Sequence, residues 1–241
     1  MSDPTGPVLS VRGDARRTVA PDYAILAGVI SVSREAKPEA VRAVAGDTDH
    51  LTDDLAALGG VALDADSGRR PLTWSAQSAT TYPERDYNQE TGRDEPSGRV
   101  IATVAIQLTV RAFELLDELG AVLSTHETLN VHDVSWGVDW DNAAWPAVRA
   151  AAIHAAIGKG RDYAAALGGS LLRVEHIADV GLLGSGDGAS FGFTGASAGR
   201  ASRARRGGGE GDAPSLDPVP QELTATIEAR FTAGGVSLPE S

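Results

Sequence analysis

The sequence predicts an α+β fold, a mostly antiparallel sheet with helices packed on it, and two observations carry that reading. Strand-like alternation and helix-like periodicity both occur, in the order ββαββ-αβαββ. That order lacks the regular βαβ repeat a doubly wound parallel sheet needs. The 241 residues are 42% hydrophobic, enough for a sizeable core. The expected organisation is a flexible amino terminus at 1–7, one α+β domain at 8–235 and a flexible tail at 236–241. Within the domain, residues 181–214 are loaded with Gly, Ser and Arg, show no periodicity and read as a flexible loop.

Leu9, Val11, Gly13 and Ala15 alternate with Ser10, Arg12, Asp14 and Arg16, the period-two pattern of a half-buried strand. Pro21-Asp22 ends it, since proline fixes φ and has no N–H to donate. Beyond it, Ile25, Ala27 and Val29 alternate with Leu26, Gly28 and Ile30, apolar on both faces as suits a central strand. From Lys37 to Leu58 the residues Val41, Val44, Leu51, Leu55 and Leu58 follow helical spacing, and Gly59-Gly60 stops the helix. A strand at 73–82 and the alternating run Val100–Val110 predict a long hairpin, with the polar stretch "PERDYNQETGRDEPSG" as its mobile tip. Then come a short helix at 112–123, a strand at 131–138, an Ala-rich helix at 143–167 and a strand at 171–180. In the closing "QELTATIEARF", Leu223, Ala225, Ile227, Ala229 and Phe231 face inward. A strand that long and regular is an aggregation risk if left as a bare edge.

A formal net charge of −12 and a pI of about 4.8 repel phosphate backbones, so nucleic acid is not an expected partner. The chain has no cysteine, which excludes disulfides, thiolate metal sites and cysteine nucleophiles. No apolar run approaches the roughly 20 residues of a membrane-spanning helix, and "MSDPTGPVLSVRGDARR" lacks the pattern of a secretory signal. A cytoplasmic location without membrane insertion is expected.

The motifs that bear on chemistry are few. "GASFG" at Gly188–Gly192 and "GASAG" at Gly195–Gly199 match G-x-S-x-G, but neither sits between an apolar strand and a helix, as a nucleophile elbow requires. The glycines at 184, 186 and 188 do not complete a dinucleotide fingerprint. The five histidines have no metal-ligand spacing. No catalytic residue, cofactor or metal is therefore expected. Arg203, Arg205 and Arg206 sit in the one basic cluster, a solvated disordered tract or else a docking point for an acidic partner or nucleic acid. "SWGVDWDNAAWP" gathers Trp136, Trp140 and Trp145. These form either an aromatic ligand cage or a core strand leading into a helix capped by Asp141 or Asn142, with Pro146 near its start.

The pattern resembles the SIMPL-domain family, catalogued as a domain of unknown function. The resemblance rests on "VLSVRGDARRTVAPDYAILAGVISVSREAKPEAV", "IATVAIQLTVRAFELLDELGAVL", "AVRAAAIHAAIGKGRDYAAALGG" and "DPVPQELTATIEARF". It implies an α+β fold, a tendency to form homo-oligomeric rings and a role in stress tolerance or partner binding. It supplies no catalytic residues. Many relatives look exported and carry a signal peptide that this sequence lacks. The leading expectation is a non-enzymatic, self-assembling protein that binds itself and a further protein partner. The alternative is a small-molecule-binding or hydrolytic protein using the Trp-rich region or the Gly-rich loop.

Overall fold

A computed structural model describes residues 6–63, 69–183 and 216–237. Among them the order is β1 (Val8–Val19), β2 (Tyr23–Arg34), α1 (Lys37–Ala57), β3 (Val61–Ala62), β4 (Leu72–Ala76), β5 (Thr80–Asn88) and β6 (Arg93–Val110). A 3-10 turn at Phe113–Leu115 leads into α2 (Leu116–Thr125), followed by β7 (Leu129–Gly137), α3 (Trp145–Ala166), β8 (Ser170–Asp179) and β9 (Gln221–Gly234). The class is α+β, and every strand pair is antiparallel except β3 with β4. The first half holds two more strands than the periodicity predicts. The strand expected at 73–82 is broken into β4 and β5, and the short β3 precedes them.

These elements form two compact units. The central unit comprises 20–63, 69–137 and 216–219, and the terminal unit 6–19, 138–183 and 220–237.

In the central unit the sheet order is β3-β4-β6-β2-β7, with β5 also paired to β6. The strand that reads as central is central: β2 lies between β6 and β7. Pro21 ends β1, and the Asp22 N–H donates to the Gly137 carbonyl at 2.8 Å, so the next strand starts already tied to β7. Ala24, Leu26, Gly28, Ile30 and Val32 are all buried, and α1 covers them with Ala40, Val44, Leu51 and Leu55. Phe113 meets Trp136 edge to face, ring centroids 5.5 Å apart. Each large aliphatic side chain buried here contributes about 1.5–3 kcal/mol of transfer free energy.

The polar stretch expected to be a mobile tip is a paired ribbon, because strand pairing asks only for backbone partners. Residues 85–88 of β5 pair with 93–96 of β6. Register slips where Pro83 faces Val100 and Arg85 faces Pro96, leaving Glu84 opposite Ser97-Gly98-Arg99. Glu84 fastens this bulge by accepting from Ser33 Oγ at 2.8 Å and pairing with Arg99 at 3.1 Å.

In the terminal unit the order is β1-β9-β8. The closing strand is therefore not a bare edge: β9 pairs with β1 on one side and β8 on the other. Val11, Ile227, Ala229 and Phe231 are buried beneath Ala152 and Ala156 of α3. The helix comes so close at Gly13 that an added Cβ would lie 2.0 Å from the Ala152 carbonyl oxygen. Gly160, a poor helix former, is buried on the sheet side of α3, with the Phe231 ring 3.1 Å from where its Cβ would stand. Pro146 lies in the first turn, where its missing N–H removes no helical bond.

Candidate functional site

The structure separates the three tryptophans by role. Trp136, on the inward register of β7, is 2% exposed and belongs to the central core. Trp145, the first residue of α3, is 6% exposed in the terminal unit, where its Nε1–H donates to the Asp139 carbonyl at 2.9 Å. The Arg149 guanidinium lies 5.4 Å from its ring centroid. Trp140, in the turn between them, is 82% exposed. Packing within each unit buries Trp136 and Trp145, and Trp140 is the exposed ring of the three. In place of a side-chain cap on α3, Asn142 Oδ1 accepts the Ala144 N–H at 2.8 Å, two residues on.

Arg203, Arg205, Arg206, both G-x-S-x-G motifs and the 184–188 glycines lie outside the described residues. Among the described histidines, His126 pairs with Asp54 at 3.0 Å, while His50, His132, His154 and His176 are exposed. No group of His, Asp and Glu among the described residues is arranged to hold a metal ion.

The terminal unit carries a shallow cleft of about 400 Å³ over Ser10, Arg12, Glu228 and Arg230. Its charges are already engaged. Arg12 pairs with Glu228 at 3.0 Å, the Gly181 N–H reaches Glu228 Oε2 at 3.3 Å, and Arg230 donates to the Leu183 carbonyl at 2.8 Å. These bonds fasten the chain leaving β8 onto the outer face of the sheet.

What remains is surface. In the terminal unit the sheet face away from α3 bears Arg12, Asp14 and Arg16 on β1 and Glu222, Glu228 and Arg230 on β9, with Arg16 3.6 Å from Glu222. The two edges of that sheet differ. At β1, Lys159 of α3 donates to the Arg12 carbonyl at 2.7 Å and lies 3.4 Å from Asp14, a charged guard of the kind that blunts edges. At β8, Leu172, Val174 and Ile177 are 50%, 48% and 46% exposed. Register puts Val174 opposite Phe231 and Ile177 opposite Ala229, on the α3 side. Glu175 accepts from Thr232 and Arg173, and these bonds, Arg173 first, hold its carboxyl below the ordinary 4.5.

In the central unit the sheet face away from α1 is made from alternate residues of β2, Ile25 to Ser33, and of β6, Ile101 to Thr109. None is charged, and Ile25, Ala27, Val29, Ile101 and Ala105 are half-buried. Thr73 and Ser75 of β4 and Asn130, Asp133 and Ser135 of β7 extend it. Among the residues that register places there, Asp133 alone is charged.

The sequence model of one family, SIMPL, described as a protein of unknown function (DUF541), matches residues 9–231. The match runs from β1 into β9 and so takes in strands of both units. The chain belongs to the SIMPL family. No curated protein matches it. Both surfaces just described, the β8 edge and the uncharged sheet face, lie inside the SIMPL match. Sequence reasoning passed over the β8 edge, although it has a signal, whereas the outward residues of β2 were read as part of a strand apolar on both faces. The β8 region is dense in Leu, Val and Ile from Leu171 to Leu182, and every second residue of β2 lacks charge from Tyr23 to Ser33.

Among the described residues no helix is long and apolar enough to cross a membrane.

Proposed function

We propose that this SIMPL protein is non-enzymatic and self-assembling, with a binding or scaffold role exerted through protein contacts. The observation that carries the reading is the apolar strip on β8. Val174 and Ile177 stand about half exposed on the α3 side of an edge strand, with Leu172 exposed at its bulge, and exposed apolar surface on an edge of this kind marks interaction sites. Burying it in a closed symmetric assembly covers the edge without open-ended growth.

Light scattering at micromolar concentration is expected to give a mass well above the 24.9 kDa of one chain. Val174→Lys is expected to lower that mass while leaving the circular dichroism unchanged. A monodisperse monomer across the range overturns self-assembly. The non-enzymatic part is checked with a fluorophosphonate probe, where labelling abolished by Ser190→Ala or Ser197→Ala overturns it.

A further inference from the structure

We propose that Trp140 and the aspartates beside it in the chain dock a cationic segment of a partner protein, with a lysine or arginine side chain coming to rest on the face of the indole. The site is separate from the β8 strip, and the inference does not depend on self-assembly.

At 82% Trp140 is the most exposed of the large hydrophobic side chains among the described residues. A single exposed apolar residue is ordinary on a protein surface, so the mounting of this one matters more than its exposure. The Asn142 N–H closes a turn on the Asp139 carbonyl at 3.1 Å, which puts Trp140 at the second position of that turn. The same carbonyl accepts the Trp145 Nε1–H at 2.9 Å, and the Trp145 backbone N–H reaches the Asn142 carbonyl at 3.0 Å. Val138 and Trp145, on either side of the turn, are buried together with Val148 and Leu223. The turn is pinned at both ends into the terminal core. A backbone already ordered in this way lowers the entropy lost when a partner binds.

Charge selects the occupant. Asp139 and Asp141 flank the ring in the chain, no lysine or arginine occurs from residue 112 to 148, and the whole chain carries −12. A partner pocket that took in the ring would have to meet both aspartates, and burying carboxylates is costly unless cations accompany them. Acidic proteins, nucleic acid and anionic membranes are repelled by the same charges. A cation is attracted twice, by the aspartates and by the electron-rich face of the indole, the best of the aromatic rings for that contact.

The chain uses the same chemistry on its neighbouring tryptophan. The Arg149 guanidinium lies 5.4 Å from the Trp145 ring centroid. Arg149 is also the first basic residue after Arg111, and its contact commits it to the buried ring. The exposed ring, held out on its turn, is left to a cation from outside.

The test uses the full chain and dye-labelled hexalysine, followed by fluorescence anisotropy at about 0.15 M salt, where charges more than about 8 Å apart are largely screened. The unmodified protein is expected to bind hexalysine and not labelled hexaglutamate. Trp140→Ala changes no charge. It is expected to weaken hexalysine binding about five-fold, the size of a solvent-accessible cation–ring contact, with circular dichroism unchanged. Replacing Asp139 and Asp141 together by Asn is expected to weaken it as well. Equal affinity of Trp140→Ala and the unmodified protein would show that net charge alone holds the peptide and would overturn the proposal, as would the absence of any binding. A fall in mass by light scattering on Trp140→Ala, with no peptide present, would assign the ring to a second copy and overturn it too.

Discussion

Both units lay helix on one face of a largely antiparallel sheet, and they part company on the other face. The terminal sheet turns Arg12, Arg16, Glu222 and Glu228 outward and ties them across β1 and β9. The central sheet turns out Ala27, Val29, Ala105 and Thr103. Cross-strand ion pairs contribute little to stability in water, about 0–1 kcal/mol each, so the terminal face is charged chiefly because it stays wet. The neutral face carries no such pairs on β2 or β6. The lesson is that the outward register of a sheet, which the core does not constrain, is where the two units record different surroundings.

The buried clusters of the two units are distinct, and the largest expected effect tests their independence. Trp136→Ala removes the biggest fully buried side chain of the central core and is expected to cost about 3–5 kcal/mol. Amide exchange is expected to accelerate in β2 and β6 well before β1 and β9. Equal loss of protection in all four strands would show one cooperative body and break the comparison.

Gly13→Ala probes the other side. Its Cβ would collide with backbone atoms of α3, at 2.0 Å from the Ala152 oxygen and 2.7 Å from the Ala156 nitrogen, and backbone cannot rotate away as a flexible side chain can. Overpacking of this kind is expected to cost about 3 kcal/mol. Exchange should now accelerate in β1, β9 and α3 first, and a melting temperature equal to that of the unmodified protein would refute the close approach.

The smallest effect sharpens the contrast between charged and neutral surfaces. The pKa of Glu175 is lowered by Arg173 and Thr232, so its contribution to stability is present above 4.5 and lost as pH falls through the lower folded value. Glu175→Gln is expected to lower the melting temperature slightly at pH 7 and to make it fall less steeply as pH drops below 4.5, so that variant and unmodified protein converge in acid. A slope identical to that of the unmodified protein would remove Glu175 from the acid response.

Much of this was legible in the sequence, for a physical reason. Alternation and helical spacing are local consequences of burial, so α1 was readable to within a residue at Lys37–Ala57 and β9 showed its inward set directly. Whether a strand is edge or centre depends on partners far along the chain, so the regularity of β9 could not reveal that β1 and β8 flank it. The β5–β6 ribbon escaped because its residues bury nothing, and a polar strand held only by pairing has the composition of a loop. Trp136, Trp140 and Trp145 were read together because they are close in sequence, yet the chain passes from one unit to the other at Gly137–Val138, between the first and the other two.

The register of β1 against β9 sets a timetable for synthesis. Val8 pairs with Thr232 and Val19 with Gln221, so the first strand made has its partner only when the last strand emerges. The strands of the central sheet are complete once Gly137 has appeared. Translation at ~5–20 residues per second puts β9 about 5–20 s behind β7. Throughout that interval β1 waits while the central sheet is already able to close, its apolar alternate residues open to solvent, to a chaperone or to the wrong strand. A stall or truncation before Gln221 would thus leave the central sheet with all its strands and the terminal one without its middle.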